Sequence, residues 1–192
     1  ETGDVVRNGS APQQPGTEVH PEHWWTGLKQ AIAAAGGLND VSAIGIGGQQ
    51  HGMVLLDQIG AVVREALLWN DTRSAGEADD LVSAHGAEWW ANEIGSVPVA
   101  SFTVTKLAWV RQNEPQVMES ASAVCLPHDW LIYRLRGGQN LVAEVGIDAS
   151  LTTDRGDASG TGYWSTRRGE YNVDLIAEVA GKPLSTPAVL GP

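Results

Sequence analysis

Apolar residues fall at helical spacing early in the chain. Trp24, Trp25, Leu28, Ala31, Ile32 and Ala35 share one broad face, Pro21 stands where a first turn tolerates proline, and Gly36-Gly37 follows. The spacing predicts a helix from Pro21 to Ala35. The period then changes. Val41 to Gly47 alternates apolar with small residues and predicts a buried strand. Gly52 to Asp57 predicts a second strand, Gln58 to Ala61 a turn, and Val62 to Trp69 a third strand. Ahead of all these, Glu1 to Asp4 reads as a turn, Val5-Val6-Arg7 as a short edge strand, and Asn8 to Glu18 as a loop rich in Gly, Pro and Gln.

The second half alternates in the same way. Asp71 or Thr72 can cap a helix running to about His85, and Trp89, Trp90, Ile94 and Val97 suggest a short helix and loop. Thr105 to Asn113 predicts a helix that Pro115 stops. Ala121 to Leu126 predicts a strand, Pro127 to Leu135 a helix ended by Gly137-Gly138, and Tyr163-Trp164 a strand that turns at Arg168-Gly169. Asn172 caps a last helix that ends at Gly181. Strands alternating with helices predict an α/β layer architecture. The strands near Val5, Ala43, Val54 and Val63 are expected in one mixed sheet with an antiparallel hairpin.

Composition narrows the partners. A formal net charge of −11, with twelve scattered basic residues, opposes nucleic acid and acidic membrane surfaces. No apolar run is long enough to span a bilayer, and the start has no signal-peptide pattern. Cys125 is the single cysteine, which fits a reducing, cytoplasmic compartment and a buried structural thiol.

Three polar clusters could carry chemistry. Gly47-Gly48-Gln49-Gln50-His51-Gly52 joins two predicted strands; its glycines let backbone approach closely, and its amides and imidazole both donate and accept, as a polyhydroxylated ligand requires. A plain polar loop explains it as well. Trp69-Asn70-Asp71-Thr72-Arg73 lies where a strand gives way to a helix, a common ligand position in open α/β sheets. Trp69 can face the carbon side of a sugar, Asn70 and Asp71 can accept hydroxyl protons, and Arg73 can brace Asp71; an ordinary helix cap with a salt bridge fits equally. Thr153-Asp154-Arg155-Gly156-Asp157-Ala158-Ser159-Gly160-Thr161 could line a cleft or hold a metal, but the spacing favours a turn of local side-chain to backbone bonds. His128-Asp129 stands in the first turn of a predicted helix, where neighbours do not face each other, so Asp129 is expected to favour the helix N-terminus instead of forming a dyad. No nucleotide loop, zinc spacing or nucleophile elbow occurs.

In this order and spacing, the clusters resemble the N-terminal domain of FGGY carbohydrate kinases. The resemblance rests also on His20-Pro21-Glu22-His23-Trp24-Trp25, Phe102-Thr103-Val104-Thr105-Lys106-Leu107-Ala108-Trp109 and Leu126-Pro127-His128-Asp129-Trp130-Leu131, and covers nearly the whole chain. It implies a ribonuclease-H-like, actin-like ATPase fold, with residues 1–192 forming an N-terminal sugar-binding domain whose first strands are missing. A second, ATP-binding domain would be absent. It implies transfer of the ATP γ-phosphoryl group to a ketopentose, D-xylulose before ribulose, gluconate or glycerol; a non-catalytic sugar-binding domain is the other reading. The implied substrate-binding residues are Gln50, His51, Trp69, Asn70 and Asp71, with Thr153-Asp154 and Asp157 to Thr161 shaping the cleft wall. The implied cofactors are ATP and Mg²⁺, bound mainly by segments outside this chain, and a homodimer is left open. The family's opening Asp-x-Gly-Thr hairpin and its Gly-Asp-Asn segment have no counterpart here. No catalytic base and no metal ligand are therefore assigned, and the chain alone is expected to be inactive.

Overall fold

The computed structural model describes residues 3–191. In chain order the elements are β1 (Glu18–Val19), α1 (Glu22–Ala34), β2 (Val54–Leu56), β3 (Ala66–Leu67), α2 (Ala75–His85), α3 (Ala87–Glu93), α4 (Thr103–Asn113), α5 (Pro115–Ser120) and β4 (Ala123–Cys125). There follow α6 (Pro127–Leu135), α7 (Gln139–Val145), α8 (Ile147–Ser150), β5 (Thr152–Thr153), α9 (Arg155–Ser159), β6 (Trp164–Ser165), β7 (Glu170–Tyr171), α10 (Val173–Ala180) and β8 (Ala188–Val189).

The centre is a short antiparallel ribbon. β1 pairs with β3, and β2 with β4 through Val54↔Cys125 and Leu56↔Ala123. Bridges Met53↔Leu67 and Leu56↔Val62 join β3 to β2, which is the predicted hairpin, closed by the turn where Asp57 N–H donates to Ala61 O at 2.9 Å. β5 pairs in parallel with β8, and β6 with β7 as a small hairpin.

Side-chain alternation along β2 sorts the core into two layers. Leu55 points with Met53, Leu67 and Val124 into a cluster with Leu107 and Val110 of α4 and Ile176 and Val179 of α10. Val54 and Leu56 point the other way, to Trp130 and Tyr133 of α6, with Trp24 and Trp25 of α1 at the margin. Trp24 meets Trp130 edge to face at 6.3 Å, so α1 packs by its tryptophan side as the pattern predicts. Strands covered by helices on both faces are buried throughout, as Val54, Leu55 and Leu56 are.

Several expectations are corrected. Val5–Arg7 and Val41–Gly47 are not strands. Val5 is 80% and Val6 90% exposed, Ile44 is 51% exposed, and among the described residues no strand runs beside either segment. A strand exists only where a neighbour satisfies its backbone, so both stay irregular and solvated. The predicted first turn begins at Glu1 and Thr2, which lie outside the described residues. Ser74, and not Asp71 or Thr72, precedes α2. Pro115 does end α4, but it also opens α5 from its first position. Residues 139–150, for which the pattern predicts nothing, hold α7 and α8.

Candidate functional site

The site is built on the loop 48–52, which crosses the start of α6. A Cβ on Gly48 would stand 2.8 Å from the Cβ of His128, and one on Gly52 would stand 2.7 Å from Pro127 Cγ. Only glycine lets the loop pass so close. Between them His51 adopts φ 72°, the left-handed region that a side chain rarely enters. Such a conformation persists where its surroundings over-determine it, and here three contacts do so. Thr103 Oγ1 donates to His51 O at 3.2 Å, the ring stacks on Phe102 at 4.7 Å, and Nδ1 lies 2.5 Å from Gly160 O. A carbonyl only accepts, so Nδ1 carries the hydrogen. The neutral ring then presents Nε2 as an acceptor.

The same loop gathers the other two clusters. Gln49 Oε1 accepts from Trp69 N–H at 3.3 Å, and Gln50 Nε2 donates to Gly156 O at 2.9 Å. Trp69 is 56% exposed and Asn70 is exposed beside it. Asp71 is turned inward at 4% exposure, its Oδ1 accepting from Arg73 N–H at 3.0 Å and Arg73 Nε at 2.9 Å. Burial pushes the Asp71 carboxyl up, but the hydrogen bonds from Arg73 and Thr17 outweigh it and hold the group below its ordinary value. Arg73 continues to Glu18 at 2.8 Å and lies 4.9 Å over the Trp109 ring. Of the five residues read from the sequence, Gln50 and His51 both reach the 156–160 turn, Trp69 meets the same loop through Gln49, Asn70 is exposed, and Asp71 is buried against Arg73.

The third cluster is the turn that its spacing suggests. Asp154 caps α9 by accepting from Asp157 N–H at 3.0 Å, and Ser159 and Thr161 hydroxyls bond to Gly156 O and Ala158 O. It is also the wall against which Gln50 and His51 lean.

His128 and Asp129 correct the sequence reading in part. Asp129 does serve the helix N-terminus, accepting from Leu126 N–H at 2.8 Å through Oδ2. Its other oxygen, however, lies 2.8 Å from His128 Nε2, both side chains being 1% exposed. Asp129 folds back to reach Leu126, and this brings its carboxylate across the first turn to the long imidazole. Asp157 Oδ2 is 3.2 Å, Thr153 Oγ1 3.3 Å and Asp154 Oδ2 3.9 Å from the same nitrogen. Burial pulls the imidazole pKa down; the close carboxylates of Asp129, then Asp157 and Asp154, pull it up by more, so it stands above 6.5, although neither Asp129 Oδ1 nor His128 Nδ1 has a well-aligned hydrogen-bond partner. His128, Asp154 and Asp157 are the one group among the described residues close enough to share a cation.

Sequence reasoning missed the supports of His51. Phe102 and Thr103 open α4, and Lys106, 0% exposed, reaches back to Ala100 O at 3.0 Å and to Ser101 O. The signal was a lysine amid otherwise core-facing positions of that helix. A cavity of about 410 Å³ is lined by His20, Tyr133 and Asn140, and one of about 430 Å³ by Gln13, Trp24, Leu68 and the loop residues Gly48 and Gln49.

Comparison with known proteins decides the family. The family model described as "FGGY family of carbohydrate kinases, N-terminal domain" matches residues 6–190. The chain belongs to this family. The xylulose kinase of Streptomyces coelicolor is 44% identical over 100% of this chain and 38% of its own length. The crystal structure of xylulose kinase from Bifidobacterium adolescentis superposes with a TM-score of 0.91 at 42% identity, over 100% of this chain and 44% of that one. The glycerol kinase of Plasmodium falciparum, at 19% identity and a TM-score of 0.77 over 97% of this chain and 38% of that one, shows the shared fold alone. The chain thus spans about two fifths of the curated relative's length, and its fold is part of the actin-like ATPase architecture of FGGY kinases. FGGY kinases use ATP, and Mg²⁺ is usual for kinases. The one compact donor group among the described residues does not fit Mg²⁺, which takes oxygen ligands, because its buried member is an imidazole nitrogen that already faces Asp129 at 2.8 Å, so no step is assigned to a metal here.

Proposed function

We propose that this chain is the sugar-binding part of an ATP-dependent kinase acting on a ketopentose, D-xylulose first, to give D-xylulose 5-phosphate in the cytoplasm. The observation that carries the reading is the convergence of two other polar segments on loop 48–52, with His51 Nδ1 engaged by Gly160 O and Nε2 left to accept a sugar hydroxyl. The likeness to xylulose kinases supports the choice of sugar. In the reaction a sugar hydroxyl oxygen forms a bond to the γ-phosphorus, ADP leaves, and the hydroxyl proton passes to a base. None of the described residues is given that last task. Their work is to bind and orient: Gln50 and His51 hold hydroxyls, Trp69 and Asn70 flank the ring-free sugar chain, and Asp71 braces their segment through Arg73.

The test is steady-state kinetics of the full-length protein with D-xylulose, ribulose, gluconate and glycerol, followed by His51→Ala. One lost hydrogen bond costs on the order of 0.5–3 kcal/mol. His51→Ala should therefore raise KM for D-xylulose, lower kcat if the bond orients the hydroxyl, and leave KM for ATP unchanged. Preference for another sugar would replace the substrate. Unchanged kcat/KM for every sugar would remove His51 from the site, and absence of any phosphorylation would leave a sugar-binding domain.

A further inference from the structure

The His51 contacts raise a question of support. Gly160 O, which fixes the tautomer of His51, and Gly156 O, which holds Gln50, both belong to the short α9 turn. That turn has only five residues, too few for a helix to be stable by itself. Something must hold it. Its cap Asp154 and its Asp157 are the two α9 carboxylates that reach His128. His128 is anchored in turn on α6, where Asp129 contacts its Nε2 and Gly48 packs on its Cβ.

We propose that His128 is a positioning residue: its imidazolium, caged by Asp129, Asp154 and Asp157, pins α9 against loop 48–52 and so keeps His51 and Gln50 aimed at the sugar. The inference rests on the sugar-site reading of that loop. The charged groups facing the imidazole are Asp129 from α6 and Asp154 and Asp157 from α9 and its cap; Thr153 of β5 and the Gly48 backbone are neutral. The Asp157 carboxyl is pushed above 3.8, and the causes fit this crowding. Burial acts first, Asp154 and Asp129 add to it, and His128 offsets only part. Loss of the imidazolium would leave those carboxylates repelling one another across the joint between α6 and α9.

The sign of the effect follows. A histidine whose pKa is raised holds its contribution below the unfolded value and loses it as pH rises through the folded one. The pin therefore loosens on the alkaline side.

In the full-length protein, KM for D-xylulose is measured between about pH 6 and about pH 9 for wild type, His128→Gln and His128→Lys. His128→Gln should raise KM about tenfold near neutral pH, and its difference from wild type should shrink as the imidazole deprotonates. His128→Lys keeps a cation in the cage and should restore most of the wild-type KM, holding it to higher pH. A glutamine variant with wild-type KM and profile overturns the proposal, as does a lysine variant no better than glutamine. If these variants do not fold, Asp157→Asn serves: one carboxylate fewer should move the alkaline rise in KM to lower pH, and an unmoved rise overturns the proposal. Imidazole NMR separates this from the function itself. If no sugar binds, the functional reading falls, while a His128 ring that titrates above ordinary histidine, and lower in Asp157→Asn, still supports the pin. A ring that titrates at or below the ordinary value overturns it.

Discussion

The hairpin from Met53 to Leu68 and the stretch from Val41 to Gly47 both read as strands in the sequence, the second by alternation, yet only the first forms them. Met53, Val54, Leu55 and Leu56 are 0% exposed, with β4 on one side and β3 on the other. Val41 and Ile44 are 41% and 51% exposed, with no strand beside them among the described residues. Alternation states which side chains could share a face. It says nothing of whether a neighbour will arrive to bond the backbone, and without one the pattern has no structural consequence.

The sharpest test compares equivalent deletions in the two stretches. Leu55→Ala removes a side chain packed between α4 and α10 and should cost about 2–5 kcal/mol. Ile44→Ala removes surface contacts and should stay within about 0.5 kcal/mol. Urea unfolding measures both. Similar losses would mean that the second stretch is covered in solution and packed like the hairpin.

A second test uses a charge on the packed side. Lys106, 0% exposed, holds the Ala100 and Ser101 carbonyls in the turn that presents Phe102 and Thr103 to His51. Burial lowers its pKa from 10.5 to about 8, with the Asp71 carboxylate offsetting a part. Between those values the unfolded chain binds more protons than the folded one, so stability rises with pH through this window and is lost as pH falls through about 8. Against Lys106→Met, wild type should gain on the order of 2–3 kcal/mol across it. Parallel pH profiles for the two proteins would show that the ammonium reaches water.

Much of the packed region was legible in the sequence, and for local reasons. Pro127 at a first turn and Gly137-Gly138 after the last delimit α6 as predicted, and Asn172 Oδ1 caps α10 by accepting from Leu175 N–H at 3.0 Å. The hairpin announced itself through Gln58 to Ala61. The candidate site was legible as three separate clusters, because each is a short run of polar and small residues between apolar ones. Their meeting was not legible, since it depends on contacts such as Gln50 with Gly156 and His51 with Gly160, over a hundred positions apart. The bracing of Asp71 by Arg73 was legible because the two are near neighbours, whereas its burial was not, since Thr17 comes to it from far along the chain. His128 with Asp129 was set aside on average helix geometry, which the folded-back cap at Leu126 does not obey.

The smallest effect belongs to a side-chain tie within the loose region. Arg7 reaches across from the first residues to both oxygens of Asp40 and to Gly37 O. It looks like the forked pair of Arg64 with Glu18 and Glu114, but Arg64 is 7% exposed in its side chain, whereas Arg7 and Asp40 are 36% and 67% exposed. Water and salt screen the outer pair, and ordering two long side chains opposes it. The hydrogen bond from Arg7 still draws the Asp40 carboxyl from 3.8 down to about 2, so whatever the pair contributes is complete above 3.8 and lost as pH falls through about 2. A double-mutant cycle of Arg7→Ala and Asp40→Ala should show coupling indistinguishable from zero in thermal unfolding at physiological salt, while Arg64→Ala lowers the midpoint clearly. The pair should instead be visible locally. Arg7→Ala should speed protease cleavage among residues 3–16 and leave cleavage between Met53 and Leu68 unchanged. Measurable global coupling would show that this stretch belongs to the cooperative fold after all, and the line between the two regions would have to be redrawn around it.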